Sequence, residues 1–190
     1  MALFPVVMPV PRNTGHLPAK EEAALLNRVS REALSLSAWK SGVVLGELAK
    51  DERDAPLPCG SYYWSVSHKP EYVAAVVSRS PVGIDIEEME PRASSLFSYV
   101  VRDEEWELGG GKSWDTFFRY WTAKEAVLKA HGIGLGGLKG CRVTSVPDDA
   151  HLVLRYQDRL HQVEQLRYRN HLVAVLQDAN EVVWITPEET

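Results

Sequence analysis

Val82-Gly83-Ile84-Asp85-Ile86-Glu87 is the stretch that leaves this chain the fewest choices. An apolar run with two carboxylates two residues apart fits a strand. Its side chains alternate between faces, so Asp85 and Glu87 project one way and Ile84 and Ile86 the other. A second stretch, Trp121-Thr122-Ala123-Lys124-Glu125-Ala126-Val127-Leu128-Lys129, reads as a helix with Glu125 and Lys129 one turn apart. At about 100° per residue, Phe117, Phe118, Trp121 and Leu128 share one arc of roughly 100°, with Glu125 inside it and Lys124 and Lys129 on its rims. An ionised carboxylate on an inward stripe is costly unless a metal or a cation compensates it. A solvated Lys-Glu-Lys run would carry its glutamate on the opposite face. Carboxylates on one rigid element, with a carboxylate and lysines on another, suit a divalent cation holding a phosphorylated substrate.

The rest of the sequence narrows the setting. At 190 residues the chain can form one domain or two small ones around a real core. The apolar opening Met1 to Pro9 is short, broken by prolines, and lacks the basic start and small-residue cleavage site of a secretory signal. No apolar run reaches membrane-spanning length. Cys59 and Cys141 have neither metal-type spacing nor a disulfide framework. The expectation is a reduced, cytoplasmic protein with no membrane partner. A net charge of −5 argues against nucleic acid as a partner. The charge is uneven: Pro81 to Glu107 holds eight acidic and two basic residues, Lys112 to Arg142 six basic and two acidic. An acidic strand end beside a basic region fits a metal site next to a phosphate or an acidic partner, although solvated faces cluster charge as well.

Along the chain, Leu17-Pro18-Ala19-Lys20-Glu21-Glu22 opens a helix running to about Ser35, and a second helical piece covers Ser37 to Ala49. Tyr62–Ser67, Tyr72–Ser78 and Val82–Glu87 read as strands joined by Pro-containing turns. One or two short helices fill Pro91 to Leu108, and a long helix spans about Ser113 to Ala130. The glycines from Gly132 to Gly137 end it. Five further strands are expected: Arg142–Val146, Leu152–Tyr156, Val163–Tyr168, Leu172–Leu176 and Val182–Ile185. At an offset of 99 residues, Ala75, Val76 and Ile86 match Ala174, Val175 and Ile185, a faint internal repeat in which Trp184 takes the place of Asp85.

These residues resemble the 4′-phosphopantetheinyl transferases of the longer, surfactin-synthetase-activating type. The family pattern is a Gly-hydrophobic-Asp-x-Glu strand, then Trp-Ser/Thr-x-Lys-Glu-Ala/Ser-x-x-Lys some forty residues on. Here Asp85 and Glu125 are forty apart. Ser65-Val66-Ser67-His68 matches the family's Ser-x-Ser-His turn, and Gly132 and Gly134 its glycines after the helix. Together the matches cover roughly residues 62 to 135.

The resemblance implies an α+β fold of two similar α+β halves with small antiparallel sheets, related by a pseudo-two-fold axis, with the active site in the cleft between them. Residues 1–81 would form the first half and 82–190 the second, in a monomer. The implied reaction moves the 4′-phosphopantetheine arm of coenzyme A onto a serine of an apo carrier protein or domain (acyl, peptidyl or aryl), releasing adenosine 3′,5′-bisphosphate. Mg²⁺ would be held by Asp85, Glu87 and Glu125. Glu125 and Lys129 would be catalytic, while Ser67, His68, Lys124 and Lys129 would bind coenzyme A. Glu105 is a lesser candidate for the base, since a solvated helix start accounts for it as well.

Carrier proteins of this kind are acidic, which requires the basic Lys112–Arg142 segment to face the partner. Leu96, Phe97 and Val100 would form either an apolar docking strip or a buried helix face. The chain departs from the family where a Gly-Lys-Pro usually precedes the Ser-His turn. Leu57-Pro58-Cys59-Gly60-Ser61 has no lysine, which leaves Arg28, Arg31 and Lys40 as candidates for the 3′-phosphate. Two other readings remain: a divalent-metal nuclease or phosphodiesterase, and a non-catalytic coenzyme A-binding module of the same fold.

Overall fold

The computed structural model describes residues 2–11 and 18–187. Leu17, expected to open the first helix, lies outside them. Pro18 precedes helix α1 (Ala19–Lys40), which carries Glu21 and Glu22 in its first turn and Lys40 in its last, each matched to the helix dipole. Its buried stripe of Val29, Ala33, Leu34, Ser37 and Ala38 packs on a three-stranded antiparallel sheet. That sheet has the order β2 (Val6–Pro9), β4 (Tyr72–Ser78), β3 (Tyr63–His68). Ser37 keeps the helix on the sheet: its buried hydroxyl donates to Phe4 O at 2.7 Å and accepts from Val77 N at 3.0 Å.

The helix expected over Ser37–Ala49 does not form. α1 runs unbroken to Lys40, and Gly42 then turns the chain with φ at +65°. Val43, Leu45 and Leu48 mimic helical spacing, but they pack on the same core from irregular chain.

The second half is a five-stranded antiparallel sheet of order β5-β9-β8-β7-β6. Its strands are β5 (Ile84–Glu88), β6 (Arg142–Ser145), β7 (His151–Tyr156), β8 (Arg159–Tyr168) and β9 (His171–Leu176). Helix α3 (Trp114–Ala130) lies across it, with Ser113 accepting from Thr116 N as its N-cap. Before it come α2 (Leu96–Val100) and a 3-10 turn over Asp103–Gly109. The sequence pattern placed α3 with one inward arc; in fact every residue from Thr116 to Leu128 except Trp121 is buried.

The two sheets are stitched by strands that cross between them. β5 follows β4 in sequence but pairs with β9, while Ile84 and Ile86 pack on Val7, Ala74 and Val76 of the first half. In return, β10 (Glu181–Val182) runs parallel to β1 (Ala2–Leu3), and Ile185 bridges Val6. The repeat pairs β4 with β9 in role, but their successors differ: β5 joins a sheet edge, whereas the chain around Ile185 runs beside β1 and β2. No helix among the described residues is long and apolar enough to cross a membrane.

Candidate active site

Gly83 sets the distance between β5 and α3. A Cβ built there would lie 1.9 Å from Ala126 O and 2.8 Å from Ala130 N, so only glycine lets the strand touch the helix backbone. The next residues of β5 then project carboxylates at the side of α3 that carries Trp121, Glu125 and Lys129. Ile84 N is fixed by Ser65 Oγ at 3.1 Å.

Asp85 is buried, and its Oδ1 accepts from Ser67 Oγ at 2.8 Å and Lys129 Nζ at 2.7 Å. Glu87 is also buried, but both its oxygens are held: Oε1 by Lys69 Nζ (2.7 Å) and Trp121 Nε1 (3.1 Å), Oε2 by Arg92 (2.8 Å). Glu125 has no such clamp. Burial, then the charge of Asp85, pushes its pKa up to about 7, with Lys129 opposing and Glu87 adding to the rise. Burial likewise raises the Asp85 carboxyl, against the pull of Lys129.

Asp85 Oδ2 and Glu125 Oε1 are buried without a hydrogen-bond partner. Two orphaned carboxylate oxygens with mutually repelling charges are what a hard divalent cation would satisfy. Among the described residues no three His, Cys, Asp or Glu side chains already converge on one point. The donor set therefore fits a cation that keeps several waters.

These groups sit at the floor of a cleft of about 770 Å³ between the two halves. Glu125, Lys129, Ser67 and His68 line it, with Gly132, Ile133 and Gly134 beyond the end of α3. Facing them from the first half are Arg31, Lys50 and Arg53. Burial, then Lys129, Lys69 and Lys50, lowers the pKa of His68, so the ring is neutral in a cationic surrounding. The cleft suits an elongated, multiply anionic ligand with its reacting end at Glu125.

Residues 81–178, just over half the chain, match the model of the 4′-phosphopantetheinyl transferase superfamily. The chain belongs to that superfamily. It is similar to the 4′-phosphopantetheinyl transferase psf-1 of Bacillus pumilus, 28% identical over 102 residues, which is 52% of this chain and 44% of the relative. A 4′-phosphopantetheinyl transferase of Bacillus subtilis is 27% identical over 100 residues (50% and 45%). The L-aminoadipate-semialdehyde dehydrogenase-phosphopantetheinyl transferase of Pongo abelii is 35% identical over 104 residues (47% and 32%). The chain thus spans less than half the length of each of these relatives.

For this superfamily member several site expectations need correcting. Lys124 does not reach the cleft: it is fully buried, donating to Glu105 Oε2 and Val100 O, both at 2.7 Å. Burial lowers its pKa, opposed by Glu105. Glu105 is not a solvated helix start. It is buried and also accepts from Val143 N (2.7 Å) and Arg102 N (2.8 Å), tying the 3-10 turn and β6 to α3.

The basic segment 112–142 does not form one outward patch, because Arg119 and Lys124 are buried and Lys129 turns into the site. Arg119 instead donates to Gln165 Oε1 and Asp148 O. Leu96, Phe97 and Val100 pack on the main core, so the buried-face alternative holds. Of the candidate phosphate cations, Arg31 lines the cleft. Arg28 pairs with Glu32 on the helix exterior, and Lys40 lies over Trp39. Lys50 and Arg53 were missed. Only their place in the irregular chain between α1 and β3 could have signalled them.

Proposed function

We propose that this protein transfers the 4′-phosphopantetheine arm of coenzyme A to a serine hydroxyl of an apo carrier protein or domain. The observation that carries the reading is the pair of orphaned oxygens on Asp85 and Glu125, beside Lys129, at the floor of a cation-lined cleft. Arg31, Lys50, Arg53 and His68 would take the nucleotide phosphates, placing the pyrophosphate at the carboxylates. Mg²⁺, held by Asp85 and Glu125 with Glu87 behind them, would draw charge from the pyrophosphate as adenosine 3′,5′-bisphosphate leaves.

Lys129 Nζ spends two of its three donors on Asp85 Oδ1 and Ile84 O, which aims it and leaves one for a phosphate oxygen. Glu125 has a second oxygen in the cleft and a carboxyl poised near neutrality, so it is the group to accept the serine proton. Ser67 acts through Asp85, to which its hydroxyl is already committed. The partner is an acidic carrier domain. We take the chain as a monomeric, cytoplasmic enzyme of two related halves, residues 1–81 and 82–190.

The test is incubation with coenzyme A, Mg²⁺ and a panel of apo carrier proteins, read by intact mass, with a parallel arm offering DNA. One added phosphopantetheine on a carrier supports the reading. Cleavage of DNA with every carrier unmodified would favour the nuclease alternative. Coenzyme A binding without any transfer would favour the non-catalytic module.

A further inference from the structure

The end of α3 holds a second cluster that phosphopantetheine transfer does not use. His131, the residue that caps α3, and His161 of β8 bring their Nε2 atoms to 3.3 Å from each other. Their rings are nearly perpendicular, at 84°, with Tyr156 edge-on to His131. His161 is buried, while His131 is half-buried and opens to solvent. On the far side of His161, Nδ1 lies 3.5 Å from Asp178 Oδ1, and Asp178 is itself fixed by Gln162 N at 3.1 Å.

Two imidazole nitrogens at this separation can share a proton. They can equally form one edge of a tetrahedron: with metal–nitrogen bonds of about 2.0–2.1 Å, that edge is about 3.3–3.4 Å. A carboxylate behind one ring is the usual way a ligating histidine is oriented, because it draws the proton to Nδ1 and turns the Nε2 lone pair outward. Burial, then His161 and Arg159, holds His131 below its ordinary pKa against the opposing charge of Asp178, so a neutral ring is present at neutral pH.

We propose that His131 and His161 form a two-histidine site for a borderline transition-metal ion such as Zn²⁺, separate from the carboxylate site. Imidazole donors select zinc, copper or nickel, whereas carboxylates and water suit Mg²⁺. Since no three-residue cluster converges among the described residues, water completes the coordination. The ion would tie the end of α3 to β8, immediately before Gly132, Ile133 and Gly134, which line the cleft.

The experiment is calorimetric titration of the chelator-stripped full chain with Zn²⁺ in excess Mg²⁺, with thermal melting in parallel. The expected result is one Zn²⁺ per chain and a raised Tm, lost in His131→Gln and retained in Glu125→Gln. His131 is open enough that His131→Gln should melt like the parent without zinc; His161→Gln is the second variant. No stoichiometric binding would leave the pair as a shared-proton contact and overturn the proposal. Binding that survives His131→Gln but is lost in Glu125→Gln would overturn it too, by placing zinc at the carboxylates.

Discussion

At the scale of single residues, three carboxylates on two elements do different work. Asp85 and Glu125 each present a buried oxygen with no partner, while Glu87 is clamped by Lys69, Arg92 and Trp121. Asp85→Ala or Glu125→Ala should therefore abolish transfer, and Glu87→Gln should slow it less, since water can replace one ligand of Mg²⁺. Initial rates at saturating Mg²⁺ test this; near-parent turnover in Glu125→Ala would contradict the assignment.

Glu125 also predicts a pH dependence in the metal-free protein. Its folded pKa of about 7 lies above the ordinary value of 4.5, so the folded state binds the proton more tightly. Ionisation then costs stability as pH rises through that window. Glu125→Gln should raise the Tm at pH about 8, and the gain should shrink toward pH about 5. An equal gain at both pH values would contradict the shift. Asp85, Glu125 and Lys129 were legible because both signatures are local in sequence. Lys124 was misread because its partner Glu105 is far along the chain, and no helical wheel reveals what covers a rim.

Among the elements, Gly83 is the hinge of the account. Gly83→Ala puts a methyl group against the carbonyl of Ala126, which is backbone and cannot rotate aside, so β5 must part from α3. Overpacking of this kind costs about 1–3 kcal/mol, and here it also separates Asp85 from Glu125. Both Tm and transfer rate should fall; a folded variant with parent activity would show that the close approach is dispensable.

Lys124→Met leaves Glu105 buried without its cation and should cost about 3–5 kcal/mol in denaturant unfolding, with any loss of activity following from stability. The strands were readable from β-branched runs between Pro and Gly turns. The absent helix after α1 was not, because Val43, Leu45 and Leu48 have helical spacing and only the neighbouring sheet decides that irregular chain will bury them.

Over the whole molecule, the site exists because two sheets exchange strands and leave a cleft at their seam. Its basic wall comes from the first half and its carboxylates from β5 and α3. That wall predicts a division of labour. Arg31→Ala and His68→Ala should raise KM for coenzyme A far more than they lower kcat, and should narrow the preference for coenzyme A over dephospho-coenzyme A. Lys129→Ala should lower kcat. An unchanged donor preference in both cleft variants would move the 3′-phosphate to Lys50 and Arg53. The seam itself was half-legible: the repeat suggested two halves, but the crossing of β5 and of the chain around Ile185 depends on pairings that no local pattern encodes. The central claim is that a cation held by Asp85 and Glu125 drives phosphopantetheine transfer. Its most direct measurement is an intact-mass time course of an apo carrier protein with coenzyme A, using parent and Asp85→Ala enzymes, each with Mg²⁺ and with chelator. The account predicts one added phosphopantetheine only for the parent with Mg²⁺, and full modification by Asp85→Ala or by the chelated parent would contradict it.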